Sequence, residues 1–273
     1  MSFALNGVSI RHASVVRNHS LALIDVHLSI KQGEQVALIG PSGAGKTTLL
    51  HALACAHPPE PGGELSVFGL QPWAMQPAQR HALRARLFLA PQMPPLPPRQ
   101  RVVTAVLAGR LPQWRFWQAI SSLIKPKEPD VAYAALARFN LQDKLYARVD
   151  RLSGGERQRC GMARLLVSQA DAFLVDEPLS ALDPTLALQT LAVVQQEAAS
   201  RNATLVCSLH QVELALGHFP RIIGLSDGRI VFDAPRSEVT ETMLAALYRN
   251  TPPSEPTESA YPEDTCGSGP SPC

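Results

Sequence analysis

Gly40-Pro41-Ser42-Gly43-Ala44-Gly45-Lys46-Thr47-Thr48 lies between an apolar run, Gln35 to Ile39, and a helix-like run through Leu53. A glycine-rich loop of the spacing G-x-x-x-x-G-K-T, set between strand and helix, suits the phosphates of a nucleoside triphosphate. Glycines at 40, 43 and 45 let the backbone turn its N–H groups inward, and a helix N-terminus adds positive potential there. In such a loop Lys46 supplies a charge to the β- and γ-phosphates and the Thr47 hydroxyl a ligand for Mg²⁺. The whole stretch from Gly40 to Thr48 is the expected phosphate-binding segment.

A second string, Phe173-Leu174-Val175-Asp176-Glu177, is a short apolar strand ending in two carboxylates. Such strands are central in parallel sheets, and ligands bind beyond their carboxyl ends. Asp176 is expected to hold Mg²⁺, directly or through water, and Glu177 to face an attacking water as general base. Alone, the pair would read as an acidic cap on the following helix. Its partnership with the phosphate loop favours the catalytic reading.

Between the two stands Leu152-Ser153-Gly154-Gly155-Glu156-Arg157-Gln158-Arg159. Its residue types make an ordinary helix start, with Ser153 as N-cap, Glu156 at the capping-box position and apolar periodicity from Met162 to Val167. In this order of motifs, however, the string resembles the signature of ABC transporter nucleotide-binding subunits. The resemblance implies that Ser153, Gly154, Gly155 and Glu156 bind ATP held by the opposite subunit of a head-to-tail homodimer. Gln92, in Leu89-Ala90-Pro91-Gln92, then resembles the family's glutamine that touches Mg²⁺ or the water. Asp183, in Ser180-Ala181-Leu182-Asp183, resembles a residue at the dimer seam, and His210 the histidine that contacts the γ-phosphate. Catalytic roles are thus expected of Glu177, His210 and Gln92, and metal contacts of Thr47, Gln92 and Asp176.

The elements that must hold these residues can be read coarsely. Alternating apolar positions, as in Leu23 to Ile30 before the turn Lys31-Gln32-Gly33-Glu34, predict strands up to about Ile39. The segment from about 73 to 151 is punctuated by proline and predicts helices at Arg80 to Leu87, Val102 to Leu107 and Val131 to Phe139. From Phe173 to about Arg249, strand and helix patterns alternate, with a strand from Thr204 to Leu209 just before His210. With these patterns the resemblance implies an α/β fold class: a phosphate-loop ATPase core with a mixed sheet and an antiparallel β flank, plus a helical signature subdomain. Residues 1–250 form a single nucleotide-binding domain with that subdomain inserted at about 73–165. Residues 251–273, rich in proline, serine, threonine and acids, read as a disordered tail.

Composition limits the partners. The chain has 273 residues, 45% of them hydrophobic, and a net charge of +2 from 25 basic and 23 acidic residues. That balance gives no electrostatic case for nucleic acid as a partner. No stretch approaches the roughly 20 consecutive apolar residues of a membrane span, and the N-terminus lacks a signal-peptide pattern. Cys55, Cys160 and Cys207 read as small buried apolar residues, and Cys266 and Cys273 as free thiols in the tail.

One stretch narrows the resemblance. Leu107 to Trp117, with Arg110, Trp114, Arg115, Phe116 and Trp117, followed by Ser121 to Ile124, resembles the insert of ATP-binding subunits of phosphonate importers. The segment around His210 and the ending Leu247-Tyr248-Arg249 point the same way. The implied function is an ATP-hydrolysing subunit with ATP and Mg²⁺ as cofactors, peripheral on the cytoplasmic face of the inner membrane. Its implied partners are a second copy, two membrane permease subunits and an extracytoplasmic solute-binding protein. A phosphite, phosphate-ester or other small-solute transporter, or a non-transport ABC ATPase, are the alternatives. Two features depart from the family. No aromatic residue stands between Phe3 and Phe68 to stack adenine, which leaves His12 or His19 as substitutes and predicts weak base selectivity. Pro91, Pro94, Pro95, Pro97 and Pro98 surround Gln92 and predict a stiff, extended segment.

Overall fold

The computed structural model describes residues 1–11, 21–114, 117 and 128–249. Strand β1 (Phe3–Arg11) pairs antiparallel with β2 (Leu21–Ile30) and with β4 (Glu64–Val67). A six-stranded sheet then runs in the order β5 (Leu87–Ala90), β6 (Ala172–Asp176), β7 (Thr204–Ser208), β3 (Gln35–Ile39), β8 (Arg221–Ser226) and β9 (Arg229–Pro235). It is parallel from β5 through β8, and only the β8–β9 hairpin is antiparallel. That hairpin turns on Asp227-Gly228, both at positive φ, the dipeptide that a tight turn matched to strand twist requires.

β6 and β7 are buried at every residue, as expected of central parallel strands covered on both faces. The period of two sorts their side chains. Val36, Leu38, Leu174, Val206 and Ile223 enter one core with β1, β2 and helix α1 (Lys46–Leu53). Ala37, Ile39, Phe173, Val175, Leu205 and Ile222 enter a second core on the opposite face. The second core also takes helices α3 (Val102–Leu107), α4 (Pro129–Ala137), α5 (Gly154–Val167) and α6 (Pro184–Ser200). Helices α2 (Pro77–Arg84), α7 (Val212–His218) and α8 (Glu241–Tyr248) complete the described elements. None of the helices described is long and apolar enough to cross a membrane.

The helix expected at Arg80 to Leu87 is corrected. α2 starts earlier, at Pro77, where Gln76 and Gln79 form a capping box, and ends at Arg84. Leu87 opens β5, because Leu87 to Ala90 hydrogen-bond to Ala172 to Val175 of β6. An apolar run of four residues is too short for periodicity to tell strand from helix, so tertiary pairing decided it. The stretch beginning near 73 is therefore not uniformly helical. α4 likewise starts at Pro129 rather than Val131, since proline is pre-organised for the first helical position. β7 ends at Ser208, although the Leu209 N–H still donates to the Leu38 carbonyl at 3.0 Å.

Cys55, Cys160 and Cys207 are buried free thiols. Burial pushes Cys55 up to about 11 and Cys160 up to about 12, so none is poised as a thiolate. Trp114 packs against the second core, while Trp117 is exposed. His12, His19, Arg115, Phe116, Ser121 to Ile124, Cys266, Cys273 and the tail from 251 lie outside the described residues.

Candidate functional site

The strand order sets the site. β5, β6, β7 and β3 are adjacent and parallel, so the loops leaving their carboxyl ends emerge side by side. Those loops carry Gln92, the Asp176-Glu177 pair, His210 and the glycine-rich loop in that spatial order. A cavity of 310 Å³ lies between them, lined by Ser42 to Thr48, Gln92, Glu177 and His210. Residues from four distant parts of the chain are brought together by one sheet edge.

The glycine-rich loop is shaped to hold an anion. Gly40 has φ +147°, and a Cβ there would stand 2.0 Å from the Leu225 carbonyl oxygen, so the loop can pass β8 only as glycine. α1 opens at Lys46 behind Gly45, with no side-chain cap and no acidic residue in its first turn. Its leading N–H groups thus lack intrahelical partners and face the cavity with the positive end of the dipole. The starts of α5, α6 and α8, by contrast, are capped by Ser153, Asp183 and Thr240. Lys46 is buried, and its Nζ donates to the carbonyls of Gly40 at 2.7 Å and Pro41 at 3.1 Å. Burial pushes its ammonium below the ordinary lysine value, opposed by the negative charges of Glu177 and Asp176.

Asp176 is buried at the end of β6, and both its oxygens are engaged. Thr47 Oγ1 donates to Oδ2 at 2.8 Å, and Ser208 Oγ donates to Oδ1 at 2.6 Å. The same Ser208 oxygen accepts the Glu177 N–H at 3.0 Å. Ser208 was given no role in the sequence reading; its only signal was a polar residue at the carboxyl end of a mostly apolar strand. Its reach to Asp176 follows from the β6–β7 register, in which the two residues are partners. Replacing it by alanine strands a buried carboxylate oxygen and a backbone N–H, each costing about 1–3 kcal/mol. Ser208→Ala is therefore expected to lower the unfolding free energy by about 2 kcal/mol or more, read as a lower denaturant midpoint at unchanged slope, and to reduce turnover. An unchanged midpoint with full turnover would remove Ser208 from the site.

Glu177 has φ +46°, a left-handed conformation that costs a non-glycine residue on the order of 1–2 kcal/mol. It projects a carboxylate over the cavity. His210 Nε2 lies 2.5 Å from Oε1, and Gln92 Nε2 donates to Oε2 at 2.6 Å. Gln92, Glu177 and His210, singled out separately in the sequence, form one polar cluster, with Gln92 hydrogen-bonded to Glu177 and His210 at ion-pair distance from it.

Ser153, Gly154, Gly155 and Glu156 do not line this cavity. They form the N-terminus of α5, where the Glu156 N–H donates to Ser153 Oγ and the Ser153 N–H to Glu156 Oε2, the capping box expected from the sequence. Gly155 lies close to Ala181 and Leu182. Asp183 serves locally as the N-cap of α6, accepting from the Leu186 N–H at 3.0 Å. The proline segment after Gln92 seats on α5: Gly161 is buried there, and a Cβ on it would meet Pro94 Cγ at 2.6 Å.

The oxygens gathered here fit Mg²⁺. A hydroxyl (Thr47), a carboxylate (Asp176) and an amide oxygen (Gln92) are hard donors of the kind that cation takes alongside phosphates and water. Among the described residues, no cluster of three or more His, Cys, Asp or Glu forms a self-sufficient metal site.

Similarity to known proteins accords with this geometry. Residues 23–180 match the family described as ABC transporter. The chain is 58% identical over 248 residues to the phosphonates import ATP-binding protein PhnC of Polaromonas sp. (strain JS666), covering 91% of this chain and 89% of that protein. It is 54% identical over 250 residues to phosphonates import ATP-binding protein PhnC 2 of Pseudomonas aeruginosa (strain UCBPP-PA14), covering 92% of each. In fold it resembles a dimeric ATP-binding cassette in a post-hydrolysis state bound to ADP and Pi, with a TM-score of 0.72, 23% identity and coverage of 86% of this chain and 98% of the other. A nucleotide-free cassette of an ABC transporter aligns with a TM-score of 0.71 at 19% identity, covering 92% of this chain and 96% of the other. A match that takes in the phosphate loop, the signature and the paired carboxylates, with relatives alike over nine-tenths of the sequence, establishes that the chain belongs to the ABC transporter family.

Proposed function

We propose that this chain hydrolyses ATP as the nucleotide-binding subunit of an importer, and that the solute is a phosphonate. The observation that carries hydrolysis is the Glu177 carboxylate, held over the phosphate-loop cavity beside the Asp176–Thr47 pair. The solute reading is supported by what the most similar relatives are named for.

The inward N–H groups of the loop from Gly40 to Thr48 would bind the phosphates, and Lys46 would exchange its two carbonyl partners for phosphate oxygens. Thr47, Asp176 and Gln92 would hold Mg²⁺, which neutralises charge on the β- and γ-phosphates when bound. Glu177 would take a proton from the attacking water at a carboxylate oxygen. His210 Nε2, released from that carboxylate, would donate to the γ-phosphate. Residues 1–250 would act as one nucleotide-binding domain in a head-to-tail homodimer, with Ser153, Gly154, Gly155 and Glu156 completing the partner's site and Asp183 at the seam. Its further partners would be two permease subunits and an extracytoplasmic solute-binding protein, with the chain peripheral on the cytoplasmic face of the inner membrane.

Growth tests the solute. Deleting the gene from a host with no second phosphonate uptake route should abolish growth on methylphosphonate as sole phosphorus source while growth on phosphate continues. The intact gene should restore it. Undiminished growth on methylphosphonate would send the search to phosphite, phosphate esters or another solute.

A further inference from the structure

α5 begins with the residues that the reading above gives to the partner's nucleotide. Just beyond them Gln158 is buried at 3% exposure, although nothing in that reading uses it. A buried amide is costly unless its donors and acceptor are met. Here they are met entirely from outside its own helix. Nε2 donates to the Glu177 carbonyl at 3.0 Å and to Ser180 Oγ at 3.3 Å, and Oε1 accepts the Ala181 N–H at 3.0 Å.

These contacts fall on the strained part of the site. The left-handed Glu177 persists only if its surroundings over-determine it. Its N–H is held by Ser208 Oγ and its carbonyl by Gln158 Nε2, so the residue is fixed from both sides. The next stretch is held against the same helix. A Cβ added to Gly155 would stand 3.0 Å from both the Ala181 carbonyl oxygen and Leu182 Cδ2. The start of α5 and the segment from Glu177 to Leu182 therefore share one set of contacts.

We propose that Gln158 is a positioning residue for hydrolysis: by holding the Glu177 carbonyl it fixes the direction of the Glu177 carboxylate relative to the signature end of α5. The helix presented to the partner's nucleotide thereby sets the carboxylate that faces this chain's own. The inference rests on Glu177 being the base. Without the Gln158 amide, the Glu177 peptide can relax toward ordinary φ and carry its carboxylate off line. A displacement of about 1 Å at a reacting group can cost on the order of 10²-fold in rate.

The test uses the full chain and two substitutions. Gln158→Met removes all three hydrogen bonds at similar volume. Gln158→Glu keeps an acceptor for the Ala181 N–H and removes the donors to the Glu177 carbonyl and Ser180 Oγ. Both should lower kcat by about tenfold or more, while ATP affinity stays within about twofold of wild type. In a Glu177→Gln background, where chemistry is already suppressed, Gln158→Glu should leave ATP-driven dimerisation intact. A kcat within about threefold of wild type in Gln158→Glu would overturn the proposal. So would parallel losses of affinity, dimerisation and thermal midpoint in that variant, which would mark Gln158 as a packing residue alone. The underlying reading fails separately, through turnover by Glu177→Gln itself.

Discussion

Lys46→Ala is expected to weaken ATP binding by about 10²–10⁴-fold and to abolish measurable turnover. The size follows from the contacts. A hydrogen bond to a charged group contributes about 1.5–3 kcal/mol, and the buried ammonium already makes two, to the Gly40 and Pro41 carbonyls. Two such contacts transferred to phosphate oxygens amount to about 3–6 kcal/mol, which converts to the range above. The fold should tolerate the change, because alanine is a better helix former than lysine at the start of α1. Titration with a fluorescent ATP analogue, with phosphate release measured in parallel, decides the matter. A dissociation constant within about threefold of wild type would mean that the loop binds its anion through backbone groups alone.

Glu177→Gln should give the second large effect, and it separates binding from chemistry. The amide is isosteric with the carboxylate and can keep contact with Gln92 and His210, whose side chains now meet the two carboxylate oxygens. It cannot accept a proton from water. Loss of a positioned base typically costs about 10²–10⁴-fold, so single-turnover hydrolysis should fall by that factor while ATP affinity holds. The variant should then accumulate as an ATP-bound dimer in size-exclusion chromatography. Near-normal turnover would assign the base to another group and leave Glu177 as a strained spacer.

The two expectations draw on different parts of the reading. The effect at Lys46 depends on a local loop legible in eight consecutive letters. The effect at Glu177 depends on three strands bringing Gln92, Glu177 and His210 together. The sequence named Glu177 from its strand-end carboxylate pair, and Gln92 and His210 through resemblance to the family, yet their mutual contacts could not be read from the chain. Likewise the proline cluster after Gln92 predicted stiffness, but not that Pro94 would fill the space above Gly161. Where reading failed outright, in carrying a helix on to Leu87, the failure has the same origin: a short apolar run takes its conformation from the strand beside it.

The sequence by itself determined the family, the phosphate loop, the capped start of α5 and the order of the motifs. These are local matters: positive φ at glycine, a side chain reaching its own backbone a turn away, and alternation along a strand depend on near neighbours. Only the tertiary structure decided that Ser208 bridges Asp176 and Glu177, that Gln158 holds the Glu177 carbonyl, and that Glu177 sits in a left-handed conformation. Those features depend on the register of β6 against β7 and on how α5 packs beside the carboxylate loop. Register and packing are fixed when distant apolar faces are buried together, and no residue type carries them alone.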